Sequence, residues 1–483
     1  MLFPTFVFGA FFVVVFVVNW LTRPHPALWK PLMLAASIVF YGWWSWRFVF
    51  LLLTTVAVNW IVGHFAAAAL RVSETAPAGR WVAARRWVSV GVTANLCILG
   101  VFKYWDFFAV EMSNLLERFG ISNALPVLEY TLPVGISFYT FQAMSYIIDI
   151  GRGNVREMAP LDFAVYLSFF PQLVAGPIVR ASEMAPQLAA QPDPRYVPAA
   201  EAFGLILSGL FKKVVVSSFL AGEIVDGVFA DPSAHSGPEV VLGVYAYAVQ
   251  IYADFSGYTD IAIGVALLLG FRFPQNFNNP YRALTLQDFW RRWHMTLSRW
   301  LRDYLYVPLG GNRSGRVATY RNLMIVMLLG GLWHGSTWNF VIWGGIHGVV
   351  LAVERLVREQ RRRSGAGRVL PAHLGDMVRW LVTFHVVCLA WVFFRSASLS
   401  AAVEMLGAMV SFDGYAGVAS PLVIAVTFGA LAFQFAPDDW FDQLREAFAG
   451  LGWAAQGAVV GVCLVAIDLL GPTGVAPFIY FQF

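Results

Sequence analysis

The chain is predicted to be an all-α polytopic membrane protein, and three observations carry that prediction. Of its 483 residues, 58% are hydrophobic and only 13% charged, whereas soluble domains carry about a quarter charged residues. The apolar residues gather into runs that approach the roughly 17–25 residues a helix needs to cross a bilayer. No polar linker interrupts them, so residues 1–483 read as a single integral membrane domain.

Along the chain, candidate spans fall near 5–21, 31–44, 48–70, 87–105, 131–150, 201–220, 238–253, 258–271, 378–396, 420–436 and 453–471. Shorter or interrupted runs lie near 161–179, 322–336 and 338–354. The first run is not expected to be a cleaved signal, because Met1–Thr5 carries no positive charge and no small-residue cleavage pattern follows. Arg23 and Lys30 come after it, and Arg71, Arg80, Arg85 and Arg86 come after the third run. Basic loops stay in the cytoplasm, which sets the N-terminus outside and these loops inside. The other strongly basic loop, 355–368, is expected on the same side. The net charge of +4 then faces the cytoplasm and anionic membrane lipid. Arginines spread along membrane edges argue against nucleic-acid binding. Cys97, Cys388 and Cys463 lie far apart inside apolar runs and read as small buried hydrophobes.

Polar residues inside apolar sequence mark the places where chemistry or strain is expected. Pro171, Gly176 and Pro177 interrupt the stretch 169–179, the pattern of a re-entrant or broken helix. Lys212 and Lys213 stand in the 201–220 run, where snorkelling to the interface is the simplest account. Residues 252–264, YADFSGYTDIAIG, place Asp254, Ser256, Tyr258 and Asp260 between apolar runs. Either these form a satisfied network at a helix break or they line a reaction chamber. On the second account Asp254, Ser256 and Asp260 are candidate substrate-binding residues.

The segment 284–313 begins LTLQDFWRRWHMTLSRWLRDY, with large apolar residues at 286, 289, 290, 293, 297, 300, 301 and 304. These steps of three and four predict one amphipathic helix. Thr285 with Asp288 resembles a capping box at its start, and Pro308 with Gly310 and Gly311 ends it. Arg291, Arg292, Arg299 and Arg302 cover the polar arc, while His294 falls at its border. An interfacial helix with its arginines toward lipid headgroups accounts for the charges. The same arginines, Arg291 and Arg299 among them, could also hold phosphates of a nucleotide-like donor.

Arg321 and Arg355 bracket the run 322–354, which therefore reads as a hairpin or a pair of short helices with both ends in the cytoplasm. His334 lies about 20 Å of helix beyond Arg321, against a hydrocarbon core of about 30 Å. The turn HGSTWN thus sits deep, where non-helical backbone survives only if buried in protein or lining a wet cavity. An ionisable group in such a place is a functional hypothesis. Burial keeps an imidazole neutral, the form a general base needs. Trp333 and Asn339, at the two ends of this turn, are candidate substrate contacts. His347 reads as structural, and His64 and His385 as packed in apolar runs. No histidine has close ligand spacing with a carboxylate pair, so no metal site is expected.

The segments FWRRWHMTLSRWLRDYLYVPLGGNR and GGLWHGSTWNFVIWGGIHG resemble the membrane-bound O-acyltransferase (MBOAT) family. They are most similar to its branch of membrane subunits for alginate and related polysaccharide O-acetylation. LPVGISFYTFQAMSYIIDI, FFPQLVAGPI, GLFKKVVV and YADFSGYTDIAIGVALLLGFRFPQNFNNPYRA fit the same branch in order. The resemblance covers nearly the whole chain and is most specific over 252–348. It implies a helical ring, thinned in the middle, with a central tunnel and re-entrant and interfacial helices. It maps the two signature histidines onto His294 and His334, the second usually assigned as catalytic. It implies acyl transfer from a cytoplasmic thioester donor, acetyl-CoA, with no bound cofactor. The acetyl group would pass outside the inner membrane of a bacterium to a polysaccharide or an extracytoplasmic acetyltransferase partner. His334 would then deprotonate or orient the acceptor hydroxyl. His294 would orient the donor or stabilise developing charge.

Three other readings stand beside this one, one of them a non-catalytic scaffold for a periplasmic partner. The same chemistry can carry another cargo, such as D-alanine to teichoic acid or an acyl group to another wall glycan. A transporter would instead use His334, Asp254 and Asp260 as a proton relay, although the internal repeats common in transporters are not visible here.

Overall fold

The computed structural model describes residues 1, 3–72, 80–121, 125–364, 371–411, 420–472 and 478–479, and every regular element among them is helical. Among the described residues, seven helical stretches are long and apolar enough to cross a bilayer: Trp46–Arg71, Ala84–Arg118, Ala199–Ala230, Gly237–Leu268, Trp338–Ser364, Ala372–Arg395 and Trp453–Leu470. Shorter apolar helices, Phe6–Thr22, Leu399–Ala408 and Pro421–Phe433, account for other runs seen in the sequence. Two compact units form, one of residues 1–202 with 262–274 and one of residues 203–261 with 275–483.

The first unit holds α1 (Phe6–Thr22), α2 (Pro26–Gly42), α3 (Trp46–Val72), α4 (Arg80–Leu99), α5 (Trp105–Arg118), α6 (Ile136–Gly151), α7 (Pro160–Ser168), α8 (Phe170–Leu173) and α9 (Ala181–Ala189). α6 is its core, buried at almost every position. Gly63 of α3 and Gly91 of α4 let Tyr146 and Ile147 of α6 pack against their backbones. Asn59 and Asn95 join α3 to α4 through a buried amide pair, Asn95 Nδ2 donating to Asn59 Oδ1 at 2.6 Å. The interrupted run around 169–179 is indeed a broken helix, with α7 ending at Ser168 and α8 lasting one turn. Its freed backbone groups find partners. Phe170 N donates to Ser37 Oγ at 3.2 Å, Gln172 Nε2 to the Tyr166 carbonyl at 2.6 Å, and Tyr166 OH to the Val179 carbonyl at 3.0 Å. This is how irregular backbone is tolerated at membrane depth. His64 is held by Glu157, Nδ1 to Oε1 at 2.6 Å.

The second unit begins within α10 (Ala199–Leu210), which continues through a π-helical stretch Phe211–Ser217, α11 (Ser218–Leu220) and α12 (Asp226–Ala230). α13 (Gly237–Leu268) follows as one helix of 32 residues. The expected break at 252–264 does not occur, because side-chain pairing rather than an opened backbone satisfies the charges. Lys213 pairs with Asp254 and Lys212 with Asp260. Snorkelling is therefore not what these lysines do: Lys213 is buried against its carboxylate. Gly209 of α10 and Gly257 of α13 oppose each other, and a Cβ at Gly209 would stand 2.6 Å from the Gly257 carbonyl. That close approach lets the lysines reach α13.

Two short helices, α14 (Leu286–Arg292) and α15 (Met295–Leu301), precede α16 (Arg316–His334) and α17 (Trp338–Ser364). The predicted hairpin is present, with its turn at Gly335–Thr337. Residues 355–364, expected as a basic loop, instead extend α17, and 365–368 lie outside the described residues. Glycines set the hairpin's closeness, as small residues do between membrane helices. A Cβ at Gly331 would overlap the Phe340 backbone, and one at Gly344 the Met327 carbonyl. Gly331→Val is therefore expected to strain the hairpin by about 1–3 kcal/mol. Size-exclusion profiles of detergent extracts should show a smaller folded peak than wild type, and an unchanged peak would refute this packing. α18 (Ala372–Arg395), α19 (Leu399–Ala408), α20 (Pro421–Phe433), α21 (Asp438–Ala449) and α22 (Trp453–Leu470) complete the unit.

Candidate active site

The amphipathic segment folds as an elbow, not as the single helix its periodicity predicts. α14 stops at Arg292, and His294 adopts a left-handed backbone with φ 41° and ψ 55° before α15 begins. Left-handed conformations are uncommon outside glycine, and in non-glycine residues they cluster at functional sites. A neighbouring segment imposes the bend. Asn278 N donates to the Arg292 carbonyl and Met295 N to the Asn276 carbonyl, both at 2.9 Å. Asn276 Oδ1 accepts from Thr296 N at 3.2 Å and from Thr296 Oγ1 at 2.9 Å, and it lies 3.1 Å from His294 Nδ1. These bonds replace the intrahelical ones lost at the elbow. At the start of α14 the Thr285 side chain accepts from Asp288 N, as the capping pattern predicts. Glu354 of α17 anchors the same end by accepting from Leu286 N at 2.6 Å.

The elbow turns His294 fully inward. Its ring lies 4.8 Å from Phe255 of α13 and 5.8 Å from Trp333 of α16, centroid to centroid. Desolvation among these rings pushes its pKa down to about 3. The imidazole is therefore neutral at any physiological pH.

His334 closes α16 with 3% exposure. Trp333 stands 5.0 Å from it, Trp343 of α17 also 5.0 Å and Phe394 of α18 5.4 Å. Trp333 thus touches both histidines and joins them into one aromatic cluster. The hairpin turn is tied to the end of α18, where Asn339 Nδ2 donates to the Ser396 carbonyl at 2.8 Å. Gly335 is required beside His334, since a Cβ there would overlap the Phe340 ring. His347 supports the cluster from behind. Its Nδ1 accepts from Trp290 Nε1 at 3.3 Å, and its ring lies 4.6 Å from Trp343.

The other sequence-derived candidates fall into two groups. Trp333 and Asn339 belong to the histidine cluster. Asp254 sits one residue before Phe255, committed to Lys213 and to the Ile479 amide, which donates to Oδ2 at 2.7 Å. Ser256 is buried on α13, and Asp260 is held by Lys212. Arg291 is exposed and Arg299 half-buried. Of the remaining arginines on that arc, Arg292 is engaged by Asp288 at 3.0 Å and Arg302 by Asp303 at 2.6 Å. Asn276, Phe255, Trp343 and Phe394 are residues of the histidine cluster that the sequence reading missed. The asparagine-rich run QNFNNP just before the amphipathic segment was the one available hint, since asparagine favours turns and left-handed backbone.

Known proteins share this arrangement of sequence. The profile of MBOAT, the membrane-bound O-acyltransferase family, matches residues 150–394, which include the elbow, the hairpin and all but the last residue of α18. The chain is 42% identical over 385 residues to the probable alginate O-acetylase AlgI of Azotobacter vinelandii, spanning 80% of this chain and 73% of that protein. It is 39% identical over 416 residues to the peptidoglycan O-acetyltransferase of Helicobacter pylori, spanning 80% of this chain and 74% of the relative. Similarity extends at 27% identity over 284 residues to the teichoic acid D-alanyltransferase of Streptococcus thermophilus, spanning 54% of this chain and 68% of the relative. A profile match through both histidine elements, and relatives this similar over most of their length, place the chain in the membrane-bound O-acyltransferase family, as a multi-pass membrane acyltransferase.

Proposed function

We propose that the protein transfers an acetyl group from a cytoplasmic thioester, acetyl-CoA, toward hydroxyls of a polysaccharide outside the inner membrane. The observation that carries this reading is the joining of His334 and His294 through Trp333 in one buried cluster. In the reaction His334 takes the proton of an acceptor hydroxyl, whose oxygen attacks the thioester carbon. The carbon–sulfur bond breaks, an ester forms, and the proton passes to the leaving thiolate. An imidazole positioned among aromatic rings suits this transfer. His334 is enclosed by rings, so Trp333, Trp343 and Phe394 must part to admit reactants. Arg291 and Arg299 are proposed as contacts for the donor's phosphates, and Ser256, Asp260 and Asn339 as contacts for bound reactants. Asp254 acts through its neighbours. The acetyl group reaches the polysaccharide directly or through an extracytoplasmic acetyltransferase partner.

Acetyl transfer is favoured over D-alanyl transfer because the relatives named for O-acetylation are the more similar, at 39–42% identity against 27%. Labelled acetyl-CoA supplied to inverted and to right-side-out membrane vesicles tests donor and direction together. Consumption is expected only in inverted vesicles, whose cytoplasmic face is outward. Equal consumption from both faces, or from neither, would remove the proposal.

A further inference from the structure

We infer that Asn276 is a positioning residue that locks His294 in a single tautomer, so that its Nε2 offers a lone pair and not an N–H. The inference deepens the reading just given and rests on it. It begins with a backbone amide. Thr296 N–H is a donor and nothing else, and it points at Asn276 Oδ1 from 3.2 Å. The hydroxyl of Thr296 approaches the same atom at 2.9 Å. That atom must therefore be the carbonyl oxygen, since the reversed amide would set an NH2 against an N–H. A carbonyl oxygen only accepts, so at 3.1 Å the Nδ1 of His294 must donate to it. In a neutral imidazole one nitrogen carries the proton and the other carries the lone pair. With the proton on Nδ1, the lone pair is on Nε2.

This excludes one of the two roles the sequence left for His294, the stabilising of developing negative charge. A neutral ring without an Nε2 proton cannot donate to an oxyanion. It can accept a hydrogen bond, or a proton, from an O–H group of the acceptor or of water. The strained elbow and the tautomer have one source, because Asn276 holds His294 with its side chain and Met295 with its backbone carbonyl. Phe255, Phe277 and Trp333 surround the ring, at 4.8, 6.4 and 5.8 Å. The ionisable groups adjoining these rings include His334, Tyr252, whose ring lies 6.1 Å from Phe277, and the Lys213–Asp254 pair next to Phe255.

Two variants test the inference, with turnover measured as thiol release from acetyl-CoA in inverted vesicles and normalised to folded protein. Asn276→Asp keeps an oxygen that accepts from both Thr296 and Nδ1, and it adds a negative charge beside the ring. Its activity should persist at high pH, with the acidic limb of the pH profile moved up by about 1–3 units. Asn276→Leu removes the acceptor, and kcat should fall about 10–100-fold with KM for the donor unchanged. An unmoved limb in Asn276→Asp, or full turnover per folded molecule in Asn276→Leu, overturns the inference. His294→Ala separates the two levels. Inactive His294→Ala with an unmoved limb removes the tautomer lock alone, whereas full activity in His294→Ala removes the reading of the site as well.

Discussion

His334→Gln is expected to lower acyl transfer by at least about 100-fold, the low end of what a positioned acid–base group contributes, while protein accumulates in the membrane near the wild-type level. Glutamine is the informative replacement. It fills much of the imidazole's volume and can still hydrogen-bond, but it cannot take up a proton near neutral pH. Alanine would remove the ring from contact with Trp333, Trp343 and Phe394 and leave a void. Voids of that kind cost about 2–5 kcal/mol for large-to-small changes in packed interiors. A loss in the alanine variant alone would therefore confuse packing with chemistry. Acetylation of the cell's polysaccharide, measured against the membrane level of each variant, distinguishes the two. Transfer within twofold of wild type in His334→Gln would remove His334 from the reaction and leave it as a packed residue.

How far the sequence alone reaches depends on the range of the interactions involved. The hairpin was legible because its cause is local: two apolar runs flank a glycine and hydroxyl-rich turn, and glycines let the helices touch. The broken helix at 169–179 was legible for the same reason, since Pro171, Gly176 and Pro177 crowd into one short apolar run. The elbow at His294 was not. Apolar residues keep helical spacing straight through positions 289, 290, 293 and 297, so periodicity points to an unbroken helix. What breaks it is Asn276, eighteen residues upstream, through bonds to a backbone amide that no composition reveals. Asp254 shows the same limit. Inside apolar sequence it looks like a functional carboxylate, and only its distant partner Lys213, 41 positions earlier, shows that its charge is already committed.

That pair carries the second large effect. Lys213 and Asp254 each have side chains only 2% exposed, in helical stretches long and apolar enough to cross a membrane. Removing one partner of a buried ion pair leaves a charge without compensation, which costs about 3–5 kcal/mol, whereas replacing both with apolar residues is often neutral. Lys213→Met and Asp254→Leu should therefore each lower the melting temperature and yield of detergent-solubilised protein sharply, and the double variant should recover much of the loss. The recovery will be incomplete, because Asp254 also accepts from the Ile479 amide and that N–H would lose its acceptor. Function should follow a different course. Phe255, next to Asp254, lies against His294, so the ion pair holds the part of α13 on which the histidine rests. If the double variant regains stability but not turnover, the pair positions α13 for the site as well as joining it to α10. If both single variants melt like wild type, the pair contributes no stability and α13 is held by the Gly209–Gly257 contact and its apolar packing.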